Sequence, residues 1–139
     1  MEQKDYLLRE IEKIGILMRA LRRKLFGGEK EDLSIAPEWH IKEFSEMLLN
    51  DANLDLEKLL SLDQQNTQAY LSRVSGFNVV NIGLLAETLA ELGFEHHSVP
   101  FLEKALQLFD ICNLMDRTWS PERESHIRKI KEYQGFQAN

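Results

Sequence analysis

Leu7, Ile11, Ile14, Met18, Leu21 and Leu25 are separated by 4, 3, 4, 3 and 4 residues, and no other regularity in the chain restricts its fold as much. At 100° per residue the six side chains fall on one stripe of a helix. Leu8, Leu17 and Ala20 widen that stripe. Gly27-Gly28 ends the helix, because glycine takes the left-handed C-cap conformation without a Cβ penalty. The charged run EKED, residues 29–32, then reads as a solvated loop. So regular a stripe has to be buried, either on its own chain or in a helix–helix dimer seam.

The rest of the chain carries the same signature in shorter pieces. Pro37 opens a second helix at its first turn, where a missing N–H costs nothing, and Ile41, Phe44 and Leu48 give it an apolar side with Trp39 nearby. Turns at residues 50–53 and 63–66 enclose a short helix, LDLEKLLSL, and residues 65–75 form another with Leu71 and Val74 inward. Gly76 breaks or bends the connection to a helix over 77–92. A partner helix over 98–115 follows beyond Gly93, lined by Leu102, Ala105, Phe109 and Cys112. Ser120-Pro121 starts the last helix, with Ile127, Ile130 and Tyr133 on one face and Arg128, Lys129 and Lys131 on the other. No period-two alternation survives anywhere. The expectation is an all-α chain of six to seven helices in a single helical domain, 1–139. Its parts are a basic amphipathic helix (1–28), short helices (37–75), and a helix pair with a capping helix (77–134).

Charge divides the chain unevenly. Residues 1–26 carry a net +3, residues 27–95 a net −9, and residues 96–139 balance. A basic first helix and an acidic middle attract each other, within one chain or between two. A net of −6 argues against a nucleic-acid partner. Cys112 is the only cysteine, so neither an internal disulfide nor a thiolate zinc site is available, which fits a reducing compartment. The acidic residues in MEQKDYLLREIEKIG do not suit a signal peptide, and no run approaches the roughly 18–20 apolar residues that cross a bilayer. A cytoplasmic location without stable membrane insertion is the expectation.

In residues 79–112, Ile82, Leu85, Ala86, Leu89, Gly93, Ser98, Leu102 and Ala105 follow the size pattern of a helix–turn–helix unit. The small residues at Ala86, Ser98 and Ala105 let two backbones approach closely. This stretch resembles a single tetratricopeptide repeat, with Ile82 in place of the usual tryptophan, Ala86 in place of glycine and Asp110 in place of the terminal proline. The whole chain is similar, more loosely, to small uncharacterised bacterial helical proteins. The resemblance implies TPR-like antiparallel helix pairs in a right-handed superhelical array, and no activity.

ELGFEHHSVPFLEKAL, residues 91–106, contains the most site-like letters. His96 and His97 are adjacent, so on a helix they diverge by about 100° and cannot grip one metal together. Neither H-E-x-x-H nor Glu-x-x-His occurs. His40, His126 and Cys112 would have to converge in space to matter. His96 and His97 therefore read as an exposed contact corner, Cys112 as core, and RESHIRKIK (123–131) as a solvated helix face. MRALRRKLF (18–26) reads as a core-facing helix with solvated charges, and Trp39 and Trp119 as half-buried packing residues at helix starts.

These observations favour a non-enzymatic helical protein–protein interaction module that self-associates, with Leu7, Ile11, Ile14, Met18, Leu21 and Leu25 as the partner surface and no cofactor or metal. A second reading is a small metal- or ligand-dependent enzyme using Glu95, His96, His97 and His126. A third is a membrane-surface regulator acting through residues 7–26.

Overall fold

A computed structural model describes residues 2–27 and 37–138 of the chain. The described residues form seven helices and no strand. These are α1 (Glu2–Phe26), α2 (Pro37–Ala52), α3 (Leu56–Ser61), α4 (Gln64–Arg73), α5 (Val79–His96), α6 (Val99–Asp116) and α7 (Pro121–Ala138). The EKED loop, Gly28 and the Trp39 side chain lie outside the described residues. No helix among the described residues is long and apolar enough to cross a membrane. The chain divides into two compact units, residues 1–81 and 82–139, and the division falls inside α5, not at Gly76.

In the first unit α1 packs on α2, and α2 on α3. Ile14, Met18, Leu21 and Leu25 of the α1 stripe are buried, as are Phe44 and Leu48 on α2 and Leu54, Leu59 and Leu71 beyond it. Each such side chain stabilises the fold by about 1.5–3 kcal/mol. Of the residues expected to widen the stripe, Leu8 and Ala20 are exposed and Leu17 is half-buried. One face of α1 is enough to meet α2, and the flanks stay in solvent. The basic end of α1 does meet the acidic middle within one chain, since Lys24 pairs with Glu43 of α2.

Side chains set the short helices' limits. Asp55 caps α3 by accepting from the Lys58 N–H at 3.3 Å, and Asp63 caps α4 by accepting from the Asn66 N–H at 2.8 Å. Tyr70 of α4 accepts a 3.0 Å hydrogen bond from the backbone N–H of Asp55. Gly76, at φ +95°, breaks the path from α4 to α5 outright. A Cβ there would lie 2.6 Å from the carbonyl oxygen of Glu10 and closer still to Ile14. Only glycine permits both that backbone and that approach.

In the second unit α7 packs on α6. Leu85, Leu89, Leu92, Leu102, Ala105, Leu108, Phe109, Ile127 and Ile130 are its principal buried side chains. Helix α5 runs four residues past the expected Leu92, so Gly93 lies inside it and not at the turn. A Cβ on Gly93 would stand 2.7 Å from Leu102 Cδ2 and 3.2 Å from the Leu102 backbone nitrogen. At this glycine the α5 backbone packs directly against Leu102 of α6.

Candidate functional site

The turn after α5 is made by two residues. His97 takes the left-handed conformation, φ 53°, and the Ser98 N–H reaches back to the Gly93 carbonyl at 2.8 Å, a Schellman-type closure. Ser98 also caps α6, its hydroxyl accepting from the Phe101 N–H at 3.4 Å. Histidine is among the non-glycine residues that tolerate this conformation better than most.

The histidine corner is exposed at His97 and half-buried at His96, and it is not bare. His97 Nδ1 lies 3.0 Å from the hydroxyl of Tyr133 on α7. The Tyr133 ring meets Phe94 edge-on, with centroids 5.4 Å apart, and Lys129 Nζ sits 4.9 Å from the centre of the Phe94 ring. Helix α7 therefore lies across the corner that the sequence leaves open.

Further along α7, polar side chains do the same work. Arg123 forms a two-pronged pair with Asp116, Nη1–Oδ1 at 3.2 Å and Nη2–Oδ2 at 3.0 Å, and also donates to Asn113 Oδ1 at 2.9 Å. The Arg123 guanidinium, helped by the Thr118 N–H, holds the Asp116 carboxyl below its ordinary range, and Asp116 in turn raises Arg123. His126 Nε2 lies 3.1 Å from Glu87 Oε1 of α5, while its ring stacks on Phe109 of α6 at 5.5 Å and 7°. Arg123, His126, Lys129 and Tyr133 recur every three or four residues, so they share one side of α7.

RESHIRKIK is a solvated face in part: Arg128, Lys129 and Lys131 are exposed, while Arg123 and His126 are half-buried against neighbouring helices and Lys129 reaches over Phe94. Sequence reasoning missed Glu87, Asn113 and Asp116. The available signal was an Asn-x-x-Asp pair at the end of one helix, a short loop, and an arginine one turn into the next. Chemically, Glu87 and His126 form a carboxylate–imidazole pair. The thiol of buried Cys112 is pushed up to about 11 by burial, against the opposing pull of Arg123, which keeps it protonated at neutral pH. His40 belongs to α2 of the first unit, while Cys112 and His126 belong to α6 and α7 of the second.

The surface expected along α1 is narrowed. Ile14, Met18, Leu21 and Leu25 are buried within the chain and Ile11 is half-buried, so a partner meets only Leu7 of the six, at 53% exposure. Beside it stand Leu8 at 56% and Tyr6 at 57%. Every side chain from Lys4 to Arg9 is exposed, so the first turns of α1 overhang what the chain covers.

A second exposed apolar group lies where α6 gives way to α7. Leu114, Met115 and Trp119 are exposed, Trp119 by 73%. The expectation of a half-buried Trp119 is corrected here. The turn closes on backbone and polar bonds, Arg117 N–H to the Asn113 carbonyl at 3.1 Å and Thr118 N–H to Asp116 at 3.0 Å, so it needs no apolar anchor. No family model, curated protein or solved structure matches the chain.

Proposed function

We propose that the chain is a non-enzymatic helical protein–protein interaction module that self-associates. The observation that carries this reading is the overhang of α1, where Tyr6, Leu7 and Leu8 are all more than half exposed on consecutive positions. Three large apolar side chains exposed around one helix end favour association over isolation, at about 25 cal/mol for each Å² covered. The reading takes the α5–α6 pair, by the size pattern of its residues, as one tetratricopeptide-like unit and, by the single cysteine, takes the protein as one of a reducing, cytoplasmic compartment. Light scattering coupled to size exclusion, from micromolar to millimolar concentration, tests the reading. A mass rising towards twice that of one chain supports it, and one-chain mass throughout removes self-association.

The Leu114, Met115 and Trp119 group favours a second reading, capture of a different protein. Tryptophan is the residue most enriched at the energetic centres of interfaces. Under this reading Trp119→Ala abolishes partner capture and leaves the chain's own mass distribution unchanged.

A further inference from the structure

The exposed side of α1 carries a row with a pattern of its own. Lys4, Leu8, Glu12 and Ile16 are all exposed and are spaced four residues apart, so they form one ridge of the helix, whose first three members are a cation, an apolar residue and an anion. A two-fold axis through Leu8 maps the Lys4, Leu8 and Glu12 stretch of this ridge onto itself. It sets Leu8 against the same residue of a second copy and brings Lys4 level with the partner's Glu12, once on each side. Leu7 lies to one flank, beside the half-buried Ile11.

We propose that the occupant of the α1 overhang is a second copy of this chain, packed antiparallel about Leu8 and held in register by two symmetry-related Lys4–Glu12 pairs. The proposal rests on the self-association reading above and names its surface. Charge separates this occupant from a lipid surface. The overhang presents Asp5 and Glu12 as well as Lys4, Arg9 and Lys13, which draws an oppositely patterned protein face better than an anionic membrane. Area sets the strength. A few half-exposed side chains fall well short of the roughly 800 Å² per partner of a standard interface, so the dimer is weak and forms at high concentration.

The test is sedimentation equilibrium on the full chain and four variants: Leu7→Ser with Leu8→Ser, Lys4→Glu, Glu12→Lys, and the last two combined. All substituted side chains are exposed, so melting temperatures should stay near that of the parent chain. The double serine variant should be monomeric. Each single charge reversal should weaken the dimer by about tenfold, and the combined reversal should restore it to within about threefold. A parent chain that dimerises while every variant dimerises equally well overturns the overhang as the surface but leaves self-association standing. Failure of the combined reversal to restore the dimer overturns the antiparallel register. A parent chain that is monomeric at millimolar concentration overturns both readings. Binding of that monomer to phosphatidylserine vesicles, lost with the serine variant, would assign the overhang to a membrane instead.

Discussion

The side-chain amide of Asn81 donates to the carbonyl oxygen of Ile11 at 2.9 Å and to that of Gly76 at 2.7 Å. One buried amide thus joins the middle of α1 to the strained glycine before α5, and a Cβ on Gly15 would stand 3.2 Å from its oxygen. Asn81→Ala should therefore destabilise the chain by about 1–3 kcal/mol, because two carbonyls lose a buried donor. Urea denaturation measures this, and a loss near that of an ordinary surface alanine would contradict the assignment.

Gly93 and Gly83 make a matched pair on one helix. A Cβ at Gly93 collides with Leu102, whereas a Cβ at Gly83 has nothing within 4 Å. Gly93→Ala should cost about 1–3 kcal/mol through overpacking. Gly83→Ala should gain about 0.4–1 kcal/mol by restricting the unfolded chain. Opposite signs in thermal melts confirm the close approach of α5 and α6, and equal signs refute it.

Asp116 ties acid stability to α7. Its carboxyl is held below the ordinary value of 3.8 by the Arg123 hydrogen bond first and the Thr118 N–H second. A depressed carboxyl contributes stability above its unfolded value, and the contribution is lost as pH falls through the folded one. The parent chain should lose stability below about pH 4 more steeply than Asp116→Asn, which should already be less stable at pH 7. Melting curves across that range that run parallel for the two proteins would contradict the pair.

Cys112 should behave oppositely at the alkaline end. Burial raises its thiol from 9.0 to about 11, so the protonated form is favoured in the folded chain. The associated stability is full below pH 9.0 and is lost as pH rises towards about 11. Cys112→Ala should flatten that alkaline loss. The native thiol should resist a disulfide reagent at pH 8 and react fully after denaturation, and rapid labelling of the native chain would place Cys112 at the surface.

Much of the architecture is legible because it depends on local rules. Asp63, Ser98 and Ser120 each sit where a helix begins, and glycines 27 and 76 sit where one cannot continue. The core face of α1 follows from its spacing alone. What the spacing cannot show is where coverage stops, so Leu7 and Ile14 look equivalent in the sequence and differ from 53% to 2% in exposure. Trp119 misled for a related reason: propensity favours burying an indole, but a turn closed by its own polar bonds leaves it out. The α7 contacts were hidden because Glu87 and His126 are 39 positions apart, and no local pattern announces such a pair.

Helix α7 buries Ile127 and Ile130. Two isoleucines three positions apart do not by themselves stop a helix from sliding by a turn, about 5.4 Å. Four dissimilar contacts forbid the slip: a guanidinium fork on Asp116, an imidazole between Glu87 and Phe109, an ammonium over Phe94, and a phenol on His97. None of these partners can stand in for another, so only one setting satisfies all four. They act on this helix as the teeth of a key, choosing its position more than supplying its grip.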